Sequence, residues 1–417
     1  MQRSDRSPES TYRYLLANRN FTLIWIGQVF SSIGDGLHMV ALPWLVLEMT
    51  GSTASVGFVM AGYMLAVPIF GLMGGAIADR WNRKRMMILS LTVSAGFVVL
   101  IPVLFAASAL NILLLAAISF LLSTATQFFE PALNAAVPTM VSKRALAPAN
   151  SLIMSTKQLG TILGPGLAGF LIALIGTTPI FYVDALTFAL AALATLPVAV
   201  PNPAGEASES DVAIPLHRAL WADIVKSLSF VRREAILLTV ILLAVFANVA
   251  IAPIRVITPS FVQDVLGQGA QSFGFLISAF SVGVVLAMLL VGKLEHRVRK
   301  GTFILSGFFI AGVALGGASL VTHYVQLLPL FFIVGCGFAA INVPFRTLIQ
   351  VSTPDELLGK VLSLDLVLST SAVPLSQVLF GALAEQVNLR WAFVLAGGIL
   401  LACTAVGFLR RELRHAQ

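Results

Sequence analysis

Twelve runs of about 20 mostly apolar residues constrain this chain more than any other feature of its sequence. A helix of that length crosses the hydrocarbon core of a bilayer, and the composition agrees, with 58% hydrophobic and 11% charged residues. The runs are centred near Asp35, Ala66, Gly96, Leu121, Pro165, Phe188, Phe246, Val282, Gly312, Gly335, Pro374 and Leu400. We therefore predict an all-α membrane protein with twelve transmembrane helices, numbered here as spans 1 to 12.

Positive charge falls on alternate loops. Basic residues cluster before span 1, after spans 2, 4, 8 and 10, between spans 6 and 7 and at the C-terminus, whereas the only Lys or Arg in the odd-numbered loops is Arg390. Cytoplasmic loops of membrane proteins carry an excess of Lys and Arg. The pattern predicts that both termini and every even-numbered loop are cytoplasmic. The net charge of +7 then reflects orientation in the membrane, and we expect no nucleic-acid partner.

One long connection divides the chain into two halves. It opens with PNPAGEASESD, a composition typical of disorder, and continues as ALWADIVKSLSFVRRE, whose apolar residues recur at helical intervals. We predict a cytoplasmic N-terminus (1–20), an N-terminal six-helix bundle (21–200), a cytoplasmic linker with an amphipathic interfacial helix (201–234), a C-terminal six-helix bundle (235–409) and a cytoplasmic C-terminus (410–417).

The two halves are predicted to be parallel copies of each other. The segment PWLVLEMTGSTASVGF, from Pro43, aligns with PSFVQDVLGQGAQSFGF, from Pro259, and the alignment places Gly51 on Gly267. Two such repeats are the architecture of many secondary transporters, in which the substrate site lies at the midplane between the halves. We therefore expect a transporter whose partners are a small-molecule substrate and the lipid bilayer.

Two motifs resemble signatures of the major facilitator superfamily. Gly75-x-x-x-Asp79-Arg80-x-x-Arg83-Lys84 resembles its loop signature, with Asn82 at the position of a family glycine. Asn tolerates the left-handed backbone that glycine would provide. Gly160-x-x-x-Gly164-Pro165-x-x-Ala168-Gly169 resembles the second half of its antiporter motif, with Ser151 in place of the first glycine of the full motif. Segments such as FFEPALNAAVPTMV and FYVDALTF are similar to a bacterial exporter branch that includes macrolide efflux proteins and the enterobactin exporter.

The resemblance implies a major facilitator fold in the bacterial inner membrane and favours efflux over uptake. It also implies that Asp79 and its basic neighbours tie span 2 to span 11 on the cytoplasmic side. A carboxylate that caps a helix and pairs with arginines can form such a latch, and topogenic charge alone is the alternative. The glycines of span 5 also have a packing role, since small residues let helices approach closely, and Pro165 bends the helix.

Charges inside the spans are few, costly and functional by default. Spans 1, 4, 7 and 10 each carry one central charge on a stripe of polar residues, and we predict that these four helices surround one wet cavity. The residues singled out are Asp35 with Gln28, Ser31, Ser32 and His38 in span 1, Glu130 with Asn134 in span 4, Arg255 with Asn248 in span 7, and Arg346 with Asn342 in span 10.

Asp35 is the first candidate for proton coupling. A low dielectric favours its protonated form, so it can take a proton on one side of the membrane and lose it on the other. The alternative is a structural acid bonded to serines or paired with an arginine. Glu130 is a candidate for the same role, and Lys157 is expected to pair with it.

The remaining candidates in the spans are two arginines, an aspartate and a histidine. Arg255 and Arg346 either neutralise the acids of the first half or bind an anionic substrate group with their forked donors. Asp184 is expected to be mainly structural. His38 either relays protons to Asp35, three residues away, or has an ordinary packing role.

Motifs of other membrane proteins do not occur in this sequence. It contains no G-x-x-x-x-G-K-[ST], no H-E-x-x-H and no G-x-S-x-G. Cys336 and Cys403 lie inside apolar spans, so we expect neither a disulfide nor a metal site. We predict a monomeric secondary transporter, without enzymatic activity or cofactor, that exports a drug, macrolide or siderophore-like molecule in exchange for protons by alternating access. The alternative is a lysophospholipid flippase or proton-coupled uptake of an anionic solute.

Overall fold

A computed structural model describes residues 8–78, 81–200, 227–294 and 297–414. In those ranges twelve helical segments are long and apolar enough to cross a membrane. The predicted number of spans is therefore confirmed. Length and apolar composition suffice for this prediction, because a backbone that crosses lipid must satisfy its hydrogen bonds internally.

The first half of the chain forms spans 1 to 6, which are the helices α2 to α7, after one short helix. The helices are α1 (Pro8–Ala17), α2 (Arg19–Thr50), α3 (Thr53–Ala78), α4 (Arg83–Ala106), α5 (Ile112–Met140), α6 (Leu146–Ile175) and α7 (Thr177–Thr195). The side chain of Asn111 accepts a hydrogen bond from the backbone N–H of Leu114 and so caps the start of α5.

The second half begins, within the described residues, with helix α8 over 227–233. The remaining helices are α9 (Ala235–Ile251), α10 (Ile254–Ser260), α11 (Ala270–Leu294), α12 (Lys300–Gly317), α13 (Tyr324–Ser352), α14 (Asp355–Gln386), α15 (Leu389–Leu409) and α16 (Arg411–Arg414). Span 7 consists of α9, α10 and a π-helical turn, Phe261–Val265. It is broken after Ile251, where Pro253 lacks the N–H that a continuous helix needs.

The loop after α3 differs from expectation at Asn82. Its φ is −63°, so it does not take the left-handed backbone that its place in the motif suggested. Instead, the Asn82 side chain accepts a hydrogen bond from the N–H of Arg85 and caps α4. Asparagine is suited to this position because its amide oxygen satisfies a donor that the first helical turn leaves free.

Two turns support the predicted internal repeat. Gly51, between spans 1 and 2, has φ +62°, and Gly267, between spans 7 and 8, has φ +60°. These are the glycines that the sequence alignment equates. Both occupy the left-handed region that residues with a Cβ avoid, so the two halves keep the same turn chemistry at equivalent positions.

Contacts between Cα atoms group the chain into two compact units. Unit 1 comprises Met1–Ala41 and Ile69–Ser208, and unit 2 comprises Leu42–Pro68 and Glu209–Gln417. The end of α2 and the start of α3 thus pack with the second half of the sequence, although the predicted boundary assigns them to the first bundle. Gly57 shows how close this packing is, because a Cβ there would lie 3.3 Å from the Cα of Gly381 in α14.

The predicted amphipathic helix is described only at its end. In α8, Ser227 and Val231 lie one turn apart and are buried, whereas Arg232 and Arg233 are exposed. Of the predicted apolar face only Leu228 is described, and it is half-buried. The residues that carry most of the predicted apolar face, Leu220, Trp221, Ile224 and Val225, lie outside the described residues.

Candidate functional site

The antiporter-like motif of α6 packs against α2. A Cβ on Gly164 would lie 2.6 Å from the Cα of Gly36, and a Cβ on Gly160 would lie 2.6 Å from the carbonyl oxygen of Ser32. Only glycine permits helix backbones to approach this closely. Pro165 and Gly169 of the same motif are buried in α6. The packing role expected for the motif is therefore present.

Asp35 lies on α2 between the two residues that contact the motif. Its neighbours Gly34 and Gly36 are buried, whereas Asp35 itself is exposed. Among the described residues its carboxylate has no hydrogen bond or ion pair, although the charges of Asp184, Glu130 and Lys157 act on it. The glycine contacts therefore fix the backbone on both sides of a carboxylate that remains accessible.

Glu130 and Lys157 form an ion pair between α5 and α6, through Oε2 and Nζ. The sequence predicted this pair. The side chains are 43% and 34% exposed, so the pair remains accessible. Pairing lowers the cost of placing both charges inside spans, and it gives Glu130 a structural partner that Asp35 lacks.

Asp184 on α7 is paired with His38 on α2. Nδ1 of His38 lies 3.0 Å from Oδ2 of Asp184, and the Asp184 side chain is 0% exposed. The ring of Phe181 packs edge-on against the His38 ring, at 5.9 Å between centroids. Sequence reasoning missed this pair. The signal available was weak: both residues lie inside apolar spans, and nothing local showed that the two helices bring them together.

The polar stripe predicted for span 1 is largely buried within unit 1. Nε2 of Gln28 donates a hydrogen bond to Oγ of Ser32 at 3.0 Å, and Gln28, Ser31, Ser32 and His38 are each at most 5% exposed. Asp35 is the exposed member of the stripe. On α5, Asn134 is also exposed.

Arg255 lies in unit 2, two residues after the break in span 7. It is half-buried, and Tyr63 of α3 interacts with it electrostatically. Asn248, on the other side of the break, donates from Nδ2 to the carbonyl of Ala244 at 3.0 Å. The guanidinium group of Arg255 therefore lies beside the interruption in the helix of span 7.

Arg346 on α13 is exposed and interacts electrostatically with Asp365 on α14. Oδ1 of Asp365 accepts a hydrogen bond from Oγ of Ser369 at 3.0 Å. Asn342, one turn before Arg346, donates from Nδ2 to the carbonyl of Phe338 at 2.9 Å. Arg346 and Asp365 form no ion pair among the described residues, so Asp365 offsets the charge of Arg346 only at longer range.

The predicted gating loop is described only in part. Gly75 lies in α3, and outside that helix no atom of the described residues lies within 4 Å of the position that its Cβ would take. Arg83 and Lys84 lie in the first turn of α4 and are half-buried. Asp79 and Arg80 lie outside the described residues, so the latch stays a prediction.

The family's sequence profile matches residues 24–376, and the chain belongs to the Major Facilitator Superfamily. It is therefore a multi-pass membrane protein of a transporter family, which confirms both the predicted fold and the resemblance drawn from its motifs.

Curated relatives extend over nearly the whole chain. It is 29% identical over 403 residues to the multidrug efflux pump Tap of Mycolicibacterium fortuitum, covering 94% of this chain and 96% of that protein. It is 24% identical over 400 residues to macrolide efflux protein A of Streptococcus pyogenes, again covering 94% of this chain and 96% of that protein. These relatives match the exporter branch that the sequence resembles.

Solved structures share the fold at low sequence identity. The nucleoside transporter NupG has a TM-score of 0.76 at 15% identity, covering 93% of this chain and 99% of that one. A bacterial homolog of the human lysosomal transporter Spinster has a TM-score of 0.71 at 14% identity, covering 97% of both chains. At such identities the likeness establishes architecture, and the substrate must be argued from the site.

Proposed function

We propose that the protein exports a lipophilic small molecule across the cell membrane in exchange for protons, with both termini in the cytoplasm. The names of its curated relatives, a multidrug efflux pump and a macrolide efflux protein, support efflux. The distribution of basic residues on alternate loops supports the orientation.

The observation that carries the proposal is the accessible carboxylate of Asp35. Of the three acids described in the spans of unit 1, Glu130 is paired with Lys157 and Asp184 is paired with His38, whereas Asp35 has neither a hydrogen bond nor an ion pair. An unpaired carboxylate inside a membrane span is costly unless it meets water, a cation or a proton. Asp35 is therefore the acid best placed to bind and release protons.

Proton entry supplies the driving force. Each elementary charge that crosses the membrane potential contributes about 2.3 kcal/mol per 100 mV. A proton that binds Asp35 from outside neutralises it, and release to the cytoplasm restores the charge. Alternating access of the two halves then couples this cycle to outward movement of substrate.

The two arginines of unit 2 bear on whether the substrate is anionic. An anionic solute binds best to an arginine whose positive charge is not already offset by an acid. The carboxylate of Asp365 partly offsets the charge of Arg346. Arg255 lies half-buried beside Tyr63. Asp365 weakens the case for anion binding at Arg346, whereas Tyr63 carries no charge that offsets Arg255, so a lysophospholipid flippase or uptake of an anionic solute stays the alternative.

The test uses inside-out vesicles with an acidic interior and a pH-sensitive dye. A panel of macrolides, lipophilic cations, catecholate siderophores and lysophospholipids is added to wild type and to Asp35→Asn. We expect at least one of the first three classes to dissipate the gradient in wild type and to leave it intact in Asp35→Asn. Failure of every compound with folded wild-type protein contradicts proton-coupled export, and a response to lysophospholipid alone supports the flippase.

Glu48→Gln is the matched control. Glu48 lies on the same helix as Asp35, and its Oε1 accepts a hydrogen bond from Nε1 of Trp44 at 2.7 Å, which a glutamine oxygen can also accept. We expect this variant to dissipate the gradient as wild type does. If Asp35→Asn also behaves like wild type, Asp35 is not the coupling acid.

A further inference from the structure

The His38–Asp184 pair combines complete burial with an incompletely satisfied carboxylate. Oδ2 of Asp184 meets Nδ1 of His38 at 3.0 Å, and Oδ1 has no hydrogen-bond partner among the described residues. A Cβ on Gly34 would lie 2.7 Å from Oδ1, so α2 presents bare backbone to this oxygen. Among the described residues, the Asp184 carboxylate therefore has one hydrogen-bond partner, and that partner is the titratable imidazole ring of His38.

Burial limits the charge that the pair can carry. With one shared proton the pair is neutral, either as a carboxylic acid beside a neutral imidazole or as a carboxylate beside an imidazolium. Without that proton, a carboxylate faces a neutral imidazole and a net negative charge is left inside the span. Uncompensated buried charge is strongly unfavourable, so the pair and the neighbouring carboxylate of Asp35 disfavour being negatively charged at the same time.

We propose that His38 and Asp184 together form a second proton-binding site, which holds one shared proton and sets the proton occupancy of Asp35. This inference rests on the proposed proton coupling. His38 and Asp35 are three residues apart on α2, a spacing that makes side chains neighbours on a helix surface. The charge of Asp184 also acts on Asp35. Loss of the shared proton therefore favours proton uptake at Asp35, and its return favours release.

Other charged groups around the pair are few and identifiable. Glu130 on α5 and Lys157 on α6 neutralise each other near Asp35. Helix α4 packs against α7, and its charged residues are confined to its first turn. On α7 itself, Tyr182 is the other titratable side chain, and it is exposed. Asp35 is therefore the unpaired titratable group next to the pair in the described part of unit 1.

Opposite shifts in pH dependence test this scheme. In Asp184→Asn the remaining His38 adds at most positive charge near Asp35, so protonation of Asp35 requires a more acidic medium. In His38→Gln the remaining Asp184 adds at most negative charge, so protonation of Asp35 persists to a more alkaline medium. We expect the pH midpoint of substrate-induced proton movement to shift by roughly one pH unit in each direction.

The double variant His38→Gln with Asp184→Asn separates proton binding from packing. Its two amides can keep a hydrogen bond between α2 and α7 without a titratable proton. We expect it to restore the folded yield that either single variant loses, and to place the pH midpoint between those of the single variants. Each protein is measured in the vesicle assay at a series of pH values, with folded yield checked by size-exclusion chromatography in detergent.

Three outcomes overturn the inference, and they are distinguishable. If both single variants and the double variant share the wild-type pH midpoint, the pair is structural while proton coupling stands. If both single variants shift in the same direction, the charge of the pair does not set the occupancy of Asp35. If wild type moves no protons with any substrate, the proposed function fails and this inference fails with it.

Discussion

At the scale of single residues, the absence of a side chain is as informative as its presence. Gly36 and Gly164 face each other where α2 crosses α6, with no room for a methyl group on either. Close contacts of this kind also position the backbone of Asp35, because its neighbours Gly34 and Gly36 each lie against another helix. The position of the carboxylate therefore depends on residues that carry no charge.

Gly164→Ala is expected to destabilise unit 1 by about 1–3 kcal/mol, because a Cβ there must push the α2 backbone away. Gly96→Ala in α4 is the matched control, since outside its own helix no described atom lies within 4 Å of the position that its Cβ would take. Thermal unfolding in detergent compares the two variants with wild type. Equal melting temperatures for both variants would show that the two helices do not depend on this close contact.

The sequence predicts residue identities better than residue partners. It identified Asp35, Glu130 and Asp184 because charges stand out in apolar spans, and it paired Glu130 with Lys157 because the helices that carry them are consecutive. It did not pair His38 with Asp184, which are 146 residues apart in the chain. A hydrophobic pattern gives one helix face and leaves open which distant helix packs on it.

At the scale of helices, the start of α3 is held by the end of α14. The Ser52 hydroxyl and the Ala54 N–H both donate to Oε1 of Glu385, and Oγ1 of Thr53 donates to Oγ of Ser260 at 2.7 Å. The first turn of α3 has no acidic residue of its own. Glu385 therefore provides the negative charge that favours a helix N-terminus, from another helix of unit 2.

Glu385→Ala is expected to destabilise the first turn of α3 by about 0.5–2 kcal/mol, the usual cost of losing a helix cap. Glu385→Gln keeps an oxygen acceptor and should lose less. Hydrogen exchange of the amides at the start of α3 measures the effect. We expect exchange to be fastest in Glu385→Ala, slower in Glu385→Gln and slowest in wild type. Identical exchange in all three proteins would exclude a capping role for Glu385.

At the scale of the whole molecule, the distribution of Lys and Arg predicts orientation. A fluorescent protein fused after Gln417 should be fluorescent, because we expect the C-terminus in the cytoplasm. A chain truncated after Val387, in the loop between spans 11 and 12, should instead give an active periplasmic phosphatase fusion. A non-fluorescent first fusion and an inactive phosphatase fusion would show that the topology is the opposite of the predicted one, and the direction of the proposed export would then be reversed.

The number of spans and the internal repeat were predictable because both follow from local constraints. A bilayer fixes the length of an apolar run, and a left-handed turn fixes a glycine, as Gly51 and Gly267 show. The packing of Leu42–Pro68 with the second half was not predictable. It depends on contacts such as Gly57 with Gly381, whose partners are separated by most of the chain.

The packing of Leu42–Pro68 with the second half of the sequence has a consequence for biosynthesis. In the finished protein Trp44 stacks on Phe273, with ring centroids 6.3 Å apart, and Leu42–Pro68 belong to unit 2. Yet the ribosome makes this segment before all of α4 to α7. The end of span 1 and the start of span 2 must therefore remain in the bilayer without their final neighbours until the later helices have been inserted. Unit 2 can be completed only after synthesis is well advanced, and a gene cut at the linker would yield two products that each need the other to mature.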